Sequence, residues 1–130
     1  MKTTAPLWAR MIVGLMGLAL AASSLIGGGF TPPGLGTDTS APLSAGYLYN
    51  SRNASLGVAM LIAAGFGAPE AIAATMIARF ILEITDRVAM SPLYPGITAG
   101  NLLPPLIPAL IELSIAIVML RIILRNRKEK

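Results

Sequence analysis

Four long apolar runs, separated by Pro/Gly-rich or polar breaks, account for most of the chain. The first covers about residues 7–26 and stops at Gly27, Gly28 and Gly29, where successive glycines make a helix entropically costly. Pro32, Pro33, Gly34 and Gly36 follow and cannot continue it, because proline has no N–H to donate. The second run spans about 44–66 and closes on a tight turn at Gly67, Ala68, Pro69 and Glu70. Pro69 suits a first helical turn, and Glu70 complements the positive end of the next helix. That third helix is predicted over 71–90. A second loop with Pro92, Pro95 and Gly96 leads to the fourth, over about 102–124. A hydrocarbon core of ~30 Å takes about 20 residues of helix to cross, and each run reaches that length. With no tandem repeat and no internal boundary, the pattern predicts an all-α fold. It is an integral membrane antiparallel four-helix bundle forming one four-span membrane domain over 1–130.

Composition strengthens this reading. Of the 130 residues, 55% are hydrophobic and 12% charged, and the mean hydropathy is +0.72. An ordinary soluble domain carries about 25% charged residues, so too little polar surface is present to coat a water-soluble globule. The chain has no Cys and no His. Disulfides, thiolate nucleophiles, His-ligated haem, the usual zinc sites and Ser-His-Asp triads are thereby excluded.

The net charge of +4 and the isoelectric point near 10.0 would suit a nucleic-acid partner. The placement of the charges argues otherwise. Arg121, Arg125, Arg127, Lys128 and Lys130 crowd the last ten positions, while Lys2 and Arg10 sit at the other end. No Lys or Arg lies between Gly27 and Ser51 or between Val88 and Arg121. The positive-inside rule then sets both termini in the cytoplasm, which requires an even number of spans. Phe30, Tyr47, Tyr49 and Tyr94 fall at the outer boundary and Trp8 and Phe66 at the inner one, as an aromatic belt would. A cleavable signal peptide ending near Ala19-Leu20-Ala21 is the competing reading of the N-terminus. The apolar run continues past it through Leu25 and Ile26, which favours a retained first span.

The candidate chemistry lies in ionisable residues within these runs. Arg52 falls in span two, Arg79, Glu83, Asp86 and Arg87 in or near the outer half of span three, and Glu112 in span four. A charge near a helix centre costs about 2.5–3.5 kcal/mol on insertion scales, so these groups should face the interior and find partners. At 1.5 Å per residue, Arg52 and Glu83 both lie ~10 Å below the outer boundary, and Arg79 and Glu112 ~15–17 Å. Two cross-helix pairs are predicted, Arg52–Glu83 and Arg79–Glu112. Thr75, Arg79, Glu83 and Asp86 follow one another at helical spacing and form a single polar stripe. Such residues can be glue between helices or a ligand or proton site, and their number favours a site. Gly14, Gly17 and Ala21 in span one and Ala54 and Gly57 in span two offer surfaces for close helix approach. The scattered methionines read as core filler, and Pro108 stands one turn before Glu112.

The segment Tyr47–Gly57, with Arg52-Asn53 and then Gly57, followed by Ala78–Asp86 with Arg79, Glu83 and Asp86, resembles small four-span bacterial membrane proteins of the DoxX-like kind, including related families of unknown function. The resemblance implies an antiparallel four-helix membrane bundle and marks Arg52, Asn53, Gly57, Arg79, Glu83 and Asp86. Some relatives of that kind are associated with quinone-linked oxidoreductase complexes. A quinone is therefore the one cofactor it brings in, although no redox centre is visible here.

Two functions are expected from the residues. One is a membrane subunit or accessory protein whose ligand or proton site, Arg52, Asn53, Arg79, Glu83, Asp86 and Glu112, binds a small amphipathic ligand (a quinone or lipid headgroup) or supports assembly of a larger membrane complex. The alternative is a small oligomeric proton-coupled transporter. That reading is weakened because span one lacks the acidic residue typical of small four-span exporters. A self-contained enzyme ranks third, since no nucleophile–base pair can be assembled. The expected partners are the lipid bilayer and either further copies of the chain or a larger membrane complex, with no metal and no nucleic acid.

Overall fold

A computed structural model describes residues 4–25, 43–90 and 99–128; the side chains of 25, 43–48, 87–90 and 99–105 lie outside that description. The expectations placed on Phe30, Tyr47, Tyr94, the Arg87 side chain and the two Pro/Gly loops therefore fall outside the described residues. The described chain is all-helical, with four helices and no strand: α1 (Leu7–Leu25), α2 (Leu43–Phe66), α3 (Pro69–Met90) and α4 (Ala99–Lys128). These bounds match the four predicted runs within about a turn.

The α2–α3 connection shows how local sequence sets the fold. Gly67 adopts φ 64°, the left-handed conformation that ends a helix, and its N–H donates to the Ala63 carbonyl at 3.0 Å. Arg10 of α1 reaches the same helix end. Its Nε donates to the Ala64 carbonyl at 2.8 Å and its Nη2 to the Gly65 carbonyl at 3.0 Å. A guanidinium thus satisfies two carbonyls that the end of α2 leaves without helical donors. The Ala5 N–H donates to the Gly67 carbonyl at 2.8 Å, tying the segment before α1 to the turn. Pro69 opens α3 in its first turn, with Glu70 beside it. The N-termini of α1 and α3 and the C-termini of α2 and α4 consequently share one end, here the turn end.

α1 lies along α2 and α3 along α4, while α2 and α3 meet less extensively. The α1–α2 contact is a backbone crossing at Gly17 and Gly57. A Cβ on Gly17 would sit 2.7 Å from the Gly57 carbonyl oxygen, and one on Gly57 would sit 2.6 Å from the Ala21 nitrogen. Only glycine permits that approach, as the small-residue surface on these two helices predicted. The core joins all four helices: Ala9 and Val13 of α1, Met60 and Ala63 of α2, Ile72 and Met76 of α3, and Ile115 and Met119 of α4. Met60, Met76 and Met119 are fully buried, in keeping with methionine as filler.

The outer faces are apolar. Leu7, Met11, Leu15 and Leu18 of α1, Val58 and Ile62 of α2, and Leu110 and Leu124 of α4 are exposed. On α3 the arrangement of a water-soluble helix is inverted. Ile77, Ile81 and Ile84 are exposed at helical spacing, while Arg79 and Glu83 turn inward. Among the described residues, two helices are long and apolar enough to cross a membrane, α1 over Leu7–Ser24 and α4 over Leu106–Lys128. α2 and α3 fall short because α2 carries Asn50, Ser51, Arg52 and Asn53 in succession and α3 carries Glu70, Arg79, Glu83, Asp86 and Arg87.

Candidate functional site

The interior polar residues come from α2, α3 and α4. Arg52 extends from α2 to Asp86 on α3 in a two-pronged contact, Nη1 donating to Oδ1 at 2.9 Å and Nη2 to Oδ2 at 2.5 Å. The expected pair was Arg52–Glu83, and the structure corrects it by one turn. Helical side chains lean towards the N-terminus of their own helix. On antiparallel α2 and α3 those leanings are opposite: Arg52 reaches away from the turn end and Asp86 leans towards it. A level estimate from Cα positions alone therefore selects the wrong carboxylate.

Glu83 is engaged elsewhere. Arg79 Nη2 donates to Glu83 Oε2 at 3.2 Å along α3, and Arg79 Nε donates to Glu112 Oε1 at 3.0 Å across to α4. The Arg79–Glu112 pair is the one the depth argument predicted, and one guanidinium also serves Glu83. Thr75, at the inner end of the predicted stripe, donates to the Ala71 carbonyl of its own helix at 2.6 Å.

Burial divides the site into two parts. Glu112 is 0% exposed and Asn53 2%, and the Arg79 side chain is 14% exposed. Arg52 and Asp86 are more open, at 35% and 28%. Across the described side chains, Arg52 and Arg79 hold the three carboxylates Glu83, Asp86 and Glu112. Glu112 Oε2 is buried without a hydrogen-bond partner, and so are Arg52 Nε and Asn50 Oδ1. An unsatisfied buried acceptor costs about 1–3 kcal/mol, more when charged. The most enclosed carboxylate of the site is thus also incompletely satisfied. Chemically, this arrangement can accept a hydrogen bond or a proton at Glu112 Oε2 while Arg79 holds the other oxygen in place.

α4 carries Glu112 through a proline-containing stretch without a break, since Pro104, Pro105 and Pro108 all lie inside the continuous helix Ala99–Lys128. Pro108 cannot donate to the carbonyl four residues earlier, so α4 lacks one helical hydrogen bond a turn before the carboxylate.

Two contacts escaped the sequence reading. The Arg52 guanidinium carbon lies 4.9 Å from the centre of the Tyr49 ring, a cation–π contact at i, i−3. That spacing was legible, but Tyr49 was read only as a boundary aromatic. Arg10, read as a topology signal, caps α2. Among the described residues no group of three or more His, Cys, Asp or Glu could hold a metal ion. No family model, curated protein or solved structure matches the chain.

Proposed function

We propose that this chain is a bacterial inner-membrane protein of the DoxX-like kind, crossing the bilayer four times with both termini in the cytoplasm. It acts as a subunit or accessory protein that holds a small amphipathic ligand in its polar interior. The apolar outer faces of all four helices support the membrane placement, because hydrocarbon tolerates a surface that water would drive together. α2 and α3 cross with the others by turning their charges onto one another.

The observation that carries the ligand reading is Glu112 Oε2, fully enclosed, without a donor, on the carboxylate that Arg79 grips. With that oxygen lacking a donor, the fitting ligand head donates a hydrogen bond. The hydroxyl of a quinol and the hydroxyl or ammonium of a lipid headgroup meet that requirement. The buffering arginine keeps the carboxylate oriented for it.

The test is ligand-dependent stabilisation of the purified protein in detergent, with decylubiquinol and short-chain phosphatidylethanolamine as probes. A ligand at one hundred times its Kd stabilises by about 2.7 kcal/mol. Wild type should gain thermal stability with one of these probes. Glu112→Leu, which removes both oxygens and leaves Arg79 to Glu83, should not. Equal responses in the two proteins would defeat the proposal. A second reading, proton-coupled transport, draws on the same unsatisfied oxygen as a proton acceptor. It calls for proton flux into proteoliposomes that Glu112→Gln abolishes.

A further inference from the structure

On the opposite flank from the charge cluster, α1 and α4 face each other across an open groove of about 350 Å³. Its walls are apolar, with Trp8 and Ile12 on α1 and Ile107, Ile111 and Val118 on α4. Ser114 turns its hydroxyl onto the Leu110 carbonyl of its own helix at 2.7 Å, so its donor is used within α4. This volume lies at the low end for small-molecule pockets, about 300–1,000 Å³, and suits a slender chain.

The groove continues into charge. Positions 107, 111, 114 and 118 form one stripe of α4, advancing by four, three and four residues. Carrying the same stripe forward by three and four reaches Arg121 and Arg125, and both are exposed. Trp8 lies at this turn end on the facing helix, exposed and at the level where an amphipathic ring sits between hydrocarbon and headgroups. From Ile107 to Val118 the stripe rises ~16 Å at 1.5 Å per residue. Half of a ~30 Å hydrocarbon core is about 15 Å. Arg121 then stands ~4.5 Å beyond Val118, where headgroup phosphates begin. An apolar channel one leaflet deep, ending in two arginines and a tryptophan, has the polarity profile of a single lipid.

We propose that the α1–α4 groove is a binding site for one anionic phospholipid of the cytoplasmic leaflet. One acyl chain lies along Ile12, Ile111 and Val118, and the phosphate pairs with Arg121 and Arg125. This inference rests on the membrane reading above but not on the Glu112 site. The anionic lipid is favoured over a second copy of the chain because the mouth of the groove carries positive charge, and a second copy would bring the same basic end against it.

Trp8 is the chain's single tryptophan and lines the groove, so it reports occupancy directly. The protein is reconstituted in phosphatidylcholine vesicles containing a minor fraction of phosphatidylglycerol, and either lipid is brominated partway along its acyl chains. At equal mole fraction, brominated phosphatidylglycerol should quench Trp8 well beyond brominated phosphatidylcholine. A surface Lys or Arg contributes enough attraction to an anionic lipid that Arg121→Gln and Arg125→Gln should each cut the preference about fivefold. Arg127, Lys128 and Lys130 remain to hold the orientation. Raised salt should weaken the preference as well.

Equal quenching by the two lipids would overturn the site while leaving the protein in the bilayer. Absence of quenching from both lipids, with Trp8 emission that depends on protein density, would assign the groove to a second copy and overturn the lipid. A chain that fails to float with the vesicles would overturn the membrane reading itself.

Discussion

Replacing Arg79 should be among the most damaging single changes inside this bundle, and the damage should be reversible by a second change. Arg79 is 14% exposed and holds Glu112, which is 0% exposed. Arg79→Met keeps an unbranched apolar stem but leaves that carboxylate buried without its donor, and Glu83 loses the same partner. Breaking a buried pair from one side costs about 3–5 kcal/mol. Glu112→Leu is milder, about 1 kcal/mol, because Arg79 retains a charge-assisted bond to Glu83. The double variant Arg79→Met with Glu112→Leu removes the stranded charge, so its cost should fall about 2 kcal/mol short of the summed singles. Polar contacts between membrane helices couple by only ~0.6 kcal/mol on average, and ~1.7 at most. A value near 2 kcal/mol would therefore mark this pair as unusually enclosed. The more open Arg52–Asp86 pair, at 35% and 28% exposure, should couple by no more than about 1 kcal/mol. Reversible unfolding in dodecylmaltoside–dodecylsulfate micelles, followed by circular dichroism, measures both cycles. Additive singles at Arg79 and Glu112, or stronger coupling at Arg52–Asp86, would refute the assignment of the buried centre.

Gly57→Val should force α1 and α2 apart at the Gly17 crossing and cost about 1–3 kcal/mol in the same unfolding assay. Gly65→Ala, where an added Cβ meets nothing within 4 Å, should instead stabilise α2 by about 0.5–1 kcal/mol. Gly67→Ala should cost about 1–2 kcal/mol, since φ 64° disfavours any residue with a Cβ. The added methyl would also crowd the Arg10 guanidinium that caps α2. Reporter tags fused to the two ends should both read out in the cytoplasm; tags reporting opposite sides would remove the four-span topology and favour a cut after Ala21.

The four helices and their limits were legible in the chain because hydrophobic run length and Pro/Gly punctuation act locally. Gly67 followed by Pro69 ends one helix and begins the next whatever surrounds them. That Arg52, Arg79, Glu83, Asp86 and Glu112 turn towards one another was legible too, since an ionisable side chain in an apolar run has few alternatives to pairing. Partner choice was not. Whether Arg52 meets Glu83 or Asp86 depends on how far each side chain leans along its own helix and how closely α2 approaches α3, and both are set by packing elsewhere in the bundle. Arg10 looked like a topology signal because its other role exists only once α1 lies against the end of α2. The enclosure of Glu112 and its single unsatisfied oxygen likewise emerge only when α3 packs along α4. The sequence determines which groups must leave the lipid or the water. Tertiary structure decides which of them are fully answered, because hydrogen bonds are set within a few tenths of an ångström and sequence spacing resolves no better than a helical turn.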